Sequence, residues 1–100
     1  MIHNPFLFIG TFLKRWKKKW CSLSSDGYLR QFETPDDLEA KRTLLIPQDV
    51  IAIRTGLDVD HKTPEGHQHE HLLELVTKHD DSWVLCAESL DDMLYYNYLV

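Results

Sequence analysis

Apolar positions along this chain come in short bursts, and turn chemistry separates them. Gly10-Thr11, Ser25-Asp26-Gly27, Thr34-Pro35-Asp36-Asp37, Pro47-Gln48-Asp49, Thr55-Gly56 and His79-Asp80-Asp81 all read as turns or loops. Between them lie seven apolar or alternating runs: 6–9, 16–23, 28–32, 43–46, 50–54, 71–77 and 82–87. Each has the length and composition of a strand. No helical periodicity interrupts them, so the pattern predicts an antiparallel sandwich or barrel rather than a parallel sheet. The one long interruption, 56–68, is polar and holds Pro64 and Gly66, which predicts an extended loop between the fifth and sixth strands. The end of the chain changes period. Ser89 is followed three positions on by Asp92, in the manner of a capping box, and Leu90, Met93, Leu94 and Tyr98 recur at helical spacing. One helix over about 89–99 is therefore expected to close the chain, and its stop at Val100 reads as a fragment, an isoform or an abrupt end.

Size makes this one small domain spanning residues 1–100. Hydrophobic content of 43% against 27% charged residues is that of a globular protein and excludes a disordered one. The apolar start, 1–9, lacks the basic flank of a signal peptide and falls far short of the roughly 20 residues that span a bilayer. Any membrane contact is then peripheral. Cys21 and Cys86 have no metal-like spacing, and two buried reduced thiols are expected.

Charge changes the picture most. Residues 1–20 carry five bases and no acid, whereas residues 21–100 carry six bases against sixteen acids, so a net charge of −5 conceals a +5 segment on a −10 body. All five bases fall in Phe12-Leu13-Lys14-Arg15-Trp16-Lys17-Lys18-Lys19-Trp20. On a strand, Lys17, Lys19, Cys21 and Leu23 share one face, and Trp16, Lys18, Trp20 and Ser22 the other. Cys21 and Leu23 suit a core. Unpaired ammonium groups do not, so their face must leave the core and enter a solvated, concave mouth at the strand's start, aimed at an anionic ligand. Phe12 and Leu13 fall where a hairpin tip belongs. Apolar residues beside a basic cluster suit shallow insertion among lipid headgroups, with Trp16 at the interface. Each base near an anionic bilayer contributes about 1 kcal/mol, so five give on the order of 5 kcal/mol, enough for reversible recruitment. Competing readings are a solvated face, a nuclear-localisation-like run and a nucleic-acid patch. The −10 body disfavours a phosphate backbone running past the patch, so no nucleic-acid partner is expected.

The order of seven strands and one helix, together with Leu13–Trp20, resembles a pleckstrin homology (PH) domain, whose second strand reads W-K-x-R-W-F-x-L. Four pieces in order, namely Leu13–Trp20, Ser25-Asp26-Gly27, Ile53-Arg54-Thr55-Gly56, and Leu85-Cys86-Ala87-Glu88-Ser89 with Asp91-Asp92, resemble the evectins, pleckstrin homology family B. The resemblance covers roughly 12–95. It implies a mainly β fold: a seven-stranded antiparallel, partly open barrel or orthogonal sandwich, capped by one C-terminal α-helix. It also implies an anionic-headgroup site at the end opposite the helix. Phosphatidylserine is the favoured lipid, with phosphoinositides as the other class, on endosomal and Golgi-derived membranes reached from the cytoplasm. Carried over by position, Arg15 and Lys17 grip the headgroup, with Lys14 and Lys19 beside them, while Phe12, Leu13, Trp16 and Lys18 contact the membrane. The departures are a first-strand base replaced by Phe8, Cys21 where Phe follows the second Trp, Tyr96 for the helix Trp, and no C-terminal hydrophobic anchor.

Other chemistry is thin. His67, His69 and His71 in His-x-His-x-His spacing, near His61 and Glu70, can set three imidazoles on one strand face. The segment straddles a loop and a strand start and has no Cys partner, so no metal or cofactor is assigned; the polar loop gains positive charge near pH 6. No nucleophile motif or Gly-rich phosphate loop occurs, and Asp36-Asp37, Asp80-Asp81 and Asp91-Asp92 read as turns or caps, so no enzyme is expected. The protein is expected to be a monomeric membrane-targeting module, or else a protein-interaction domain on the same fold with partners unspecified.

Overall fold

Among the described residues, seven strands form where the apolar runs lie, and turn residues set their limits. The computed structural model describes residues 4–9, 15–79 and 82–87. The strands are β1 (Asn4–Ile9), β2 (Trp16–Leu23), β3 (Tyr28–Phe32), β4 (Arg42–Leu45), β5 (Val50–Thr55), β6 (Leu72–Thr77) and β7 (Ser82–Cys86). The bounds of β2 and β3 are those expected. The helix expected over 89–99 lies outside the described residues.

Every ladder is antiparallel, in the order β4-β3-β2-β1-β7-β6-β5. A four-stranded meander and a three-stranded one therefore meet at β1 and β7, through two residue pairs among the described residues, Leu7↔Cys86 and Phe8↔Leu85. β4 and β5 are the outer edges. The chain passes between them through a single helical turn, α1 (Ile46–Asp49), which replaces the expected Pro47-Gln48-Asp49 turn. Proline suits a first helical position because its fixed φ is already helical. Gly27, at φ 92°, closes the β2–β3 turn against α1, and a Cβ there would stand 2.8 Å from the Pro47 ring. No helix among the described residues is long and apolar enough to cross a membrane.

Alternation sorts the strands into a main core and a second cluster. The inner faces bury Phe8, Cys21, Leu29, Leu44, Leu73, Leu75, Trp83 and Leu85, with Ile46 of α1 and Ala87. On the opposite face of β6 and β7, Leu72, Val84 and Cys86 form a second apolar patch with Val59, and Trp16 packs against it. This corrects the reading of 56–68 as a simple extended polar loop. Val59 and Pro64 are buried, because the outer patch of β6 and β7 needs a cover and this connection supplies it. Glu74, also on the outer face, is buried and pairs with Arg54 at 3.2 Å. Cys21 and Cys86 lie in different clusters, both buried and free of disulfide. Burial alone pushes the Cys86 thiol up to about 11.

Candidate functional site

One face of β2 changes character along its length. Cys21 is fully buried and Leu23 packs on the core, yet Lys17, on the same face, is exposed. Two registers explain the change. Lys17 stands opposite Phe8 of β1, and directly opposed residues share a face, so the ammonium rises beside a ring that is only 4% exposed. On the other side, the ladder with β3 ends at Trp20↔Phe32, so Lys17, Lys18 and Lys19 run past the end of β3. The core thus opens at the start of β2, at the end of the ladders where β1 joins β2 and β3 joins β4.

The other members of the expected set fall around this opening or outside it. Arg15, just before β2, is exposed. Lys14, Phe12 and Leu13 lie outside the described residues. Lys19 pairs with Glu33, the first residue after β3. Lys18, on the outer face, stands 5.8 Å from the centre of the Trp20 ring, a cation–π contact. Trp16 is half-buried: its indole N–H donates to the Lys62 carbonyl at 2.9 Å and its ring packs on the outer cluster. Any membrane contact through Trp16 is therefore made by the part of the ring left exposed.

Sequence reasoning missed Arg42. It is the register partner of Gln31, which is in turn the partner of Cys21, so Arg42 lies on the inner face. Its guanidinium sits 4.2 Å from the centre of the Trp83 ring. Phe8 meets the same ring edge-on, with centroids 6.3 Å apart and planes at 73°. Trp83 thus floors this end of the core, covered by one aromatic edge and one cation. The available signal was alternation: Arg42 shares a face with buried Leu44, two residues on, as Lys19 does with Cys21.

Phe8 also accounts for the departure in the first strand. Where the family pattern has a base, this chain has an aromatic ring spent on Trp83, so the opening draws positive charge from β2, Arg15 and Arg42. The β3–β4 connection is acidic, with Glu33, Asp36, Asp37 and Glu39. Thr34 fastens it by donating from its backbone N–H and its hydroxyl to the Asp37 carboxylate, at 3.1 and 2.7 Å.

The histidines do not share a strand face. His69–His71 is a 3-10 turn and β6 begins at Leu72, which corrects the strand start expected at 71. His67 and His71 meet edge to face at 6.4 Å, and His67 Nδ1 lies 3.2 Å from the Glu65 carbonyl. Among the described residues, no group of three or more His, Cys, Asp or Glu is placed to hold a metal.

Topology, a core capped by Trp83 and a basic opening at the start of β2 define a class of binding domain. The family model of the PH domain matches residues 4–94, and the chain belongs to that family. In sequence it is similar to pleckstrin homology domain-containing family B member 2 of Homo sapiens, 37% identical over 89 residues; the match takes in 88% of this chain, which spans 40% of that relative's length. In fold it is similar to the C-terminal PH domain of pleckstrin in complex with D-myo-Ins(1,2,3,5,6)P5, with a TM-score of 0.72 at 16% identity, covering 97% of this chain and 88% of that one. It is likewise similar to the Slm1-PH domain in complex with phosphoserine, with a TM-score of 0.71 at 21% identity, covering 96% and 88%.

Proposed function

We propose that this chain is a peripheral membrane-targeting module that binds anionic lipid headgroups, and not an enzyme. The observation that carries the reading is Lys17, exposed on the core-facing side of β2 directly opposite buried Phe8. A base in that position serves neither packing nor a flat solvated face. Arg15 and Lys17 act as the principal headgroup ligands, with Lys14, Lys19 and Arg42 as further bases. Phe12, Leu13, Lys18 and the exposed part of Trp16 face the bilayer. Phosphatidylserine is the favoured lipid and phosphoinositides are the other class to compare. The resemblance to the evectins implies a place on endosomal and Golgi-derived membranes, in trafficking, on the cytoplasmic side, and the reading adopts it. The PH domains of pleckstrin and Slm1 named above hold an inositol phosphate and phosphoserine, both anionic, which supports the same choice of ligand.

Co-sedimentation with liposomes of defined phosphatidylserine and phosphoinositide content tests the reading. Lys17→Ala and Arg15→Ala should each weaken binding about fivefold, the equivalent of about 1 kcal/mol per base. Undiminished binding in both variants would remove the headgroup assignment. A protein-interaction module on the same fold is the second reading. It is favoured by Leu38, 99% exposed at the rim of a groove that Phe32, Arg30 and Ser22 line. Absence of binding to every liposome would bring that reading forward.

A further inference from the structure

An anion-binding mouth with a carboxylate built into it is a contradiction unless the ligand carries both signs. Glu33 is such a carboxylate. It extends the inner face of β3 one residue past the ladder and contacts the Lys19 ammonium. The Lys19 side chain is 19% exposed and that of Glu33 44%, so the acid is the more accessible member of the pair. The rest of the connection has the same sign: Asp36, Asp37 and Glu39 follow, against a single base at Lys41.

These charges bear differently on different headgroups. A polyphosphorylated inositol brings several negative charges; here it meets the Glu33 carboxylate and finds Lys19 already paired with it. A headgroup with one phosphate and a primary ammonium fits both signs, its phosphate toward Arg15 and Lys17 and its ammonium toward the outer oxygen of Glu33. Discrimination between two anions comes from repelling the wrong one as well as from attracting the right one. We propose that Glu33 is the specificity-determining residue of the mouth, selecting headgroups that carry an ammonium beside their phosphate and rejecting polyphosphorylated inositols. The inference rests on the headgroup reading of the mouth.

The test uses the whole chain, wild type and Glu33→Gln, on three sets of vesicles matched in surface charge. They contain phosphatidylserine, phosphatidylglycerol (which lacks the amine) or a polyphosphoinositide in phosphatidylcholine. Wild type should prefer phosphatidylserine to phosphatidylglycerol. Glu33→Gln should erase that preference and raise polyphosphoinositide binding about three- to tenfold. Glu70→Gln, which removes the same charge from the β5–β6 connection, should leave the preference as in wild type. Soluble phosphoserine titrated into both proteins separates headgroup from bilayer, and its affinity should also fall in Glu33→Gln. An unchanged phosphatidylserine-to-phosphatidylglycerol ratio in Glu33→Gln would overturn the inference while leaving the headgroup reading intact. Failure of the wild type to bind any of the vesicles would overturn the headgroup reading itself, and the inference with it. Thermal unfolding checks that the variants remain folded.

Discussion

The two halves of the inner face of β2 have the same alternation and opposite fates. Cys21 and Leu23 point into the core; Lys17 and Lys19, four and two residues before Cys21 on the same strand, point into water and toward Glu33 respectively. Alternation decides which face a residue occupies, and the reach of the neighbouring strands decides how deep it lies. β3 flanks Trp20–Leu23 and stops, so the half of β2 with two neighbours is core and the half beyond β3 is mouth.

Charge reversal breaks this comparison most severely. Cys21→Asp would bury an unpaired carboxylate at a fully buried position and should cost about 4 kcal/mol or more, enough to unfold much of a small domain in urea. Lys17→Asp, on the same face, should change stability by less than about 0.5 kcal/mol. Equal losses would show that the two halves are not different environments.

Next in size is the thiol on the outer cluster. Burial moves Cys86 from its ordinary 9.0 to about 11, so its thiolate is roughly a hundredfold scarcer at pH 8 than that of an ordinary thiol. Iodoacetamide should label it only after urea unfolding. Because the folded value lies above the unfolded one, its contribution to stability is complete below pH 9 and is lost as pH rises toward 11. Rapid native labelling at pH 8 would contradict the burial of the outer cluster. Trp16→Ala should cost about 2 kcal/mol in urea unfolding, below the range for a fully buried Trp because the ring is half-exposed.

The smallest effects are on binding and separate the two faces of the basic strand. Lys17→Ala should reduce association with anionic liposomes about fivefold. Lys18→Ala, on the outer face over Trp20, should reduce it less than about twofold. Equal losses would mean that the strand attracts membranes by charge alone.

Much of this was readable from the chain. Turn residues and short apolar runs located the strands because each run buries against local neighbours at a period of two. Five bases in six positions cannot all be packed inside, and Lys17 and Lys18 are exposed. What escaped notice depended on contacts distant in sequence. The second cluster joins Trp16 to Val59, Leu72, Val84 and Cys86, and nothing in residues 56–68 advertises Val59 as a lid. Arg42 and Glu33 flank the β3–β4 connection, and only the registers bring them to Trp83 and Lys19. His71 was placed at the head of a strand because an apolar run follows it, whereas the chain turns once before β6 begins at Leu72.

The meeting of β1 and β7 has a mechanical consequence. Among the described residues, six pairs tie β1 to β2 and five tie β6 to β7, but two tie the halves together. Load along the sheet therefore concentrates on that line, where Phe8 against Trp83 acts as a rivet through the fabric. A base in place of Phe8 would remove the rivet. In this protein the residue that departs from the family's headgroup pattern is the one that holds the seam shut.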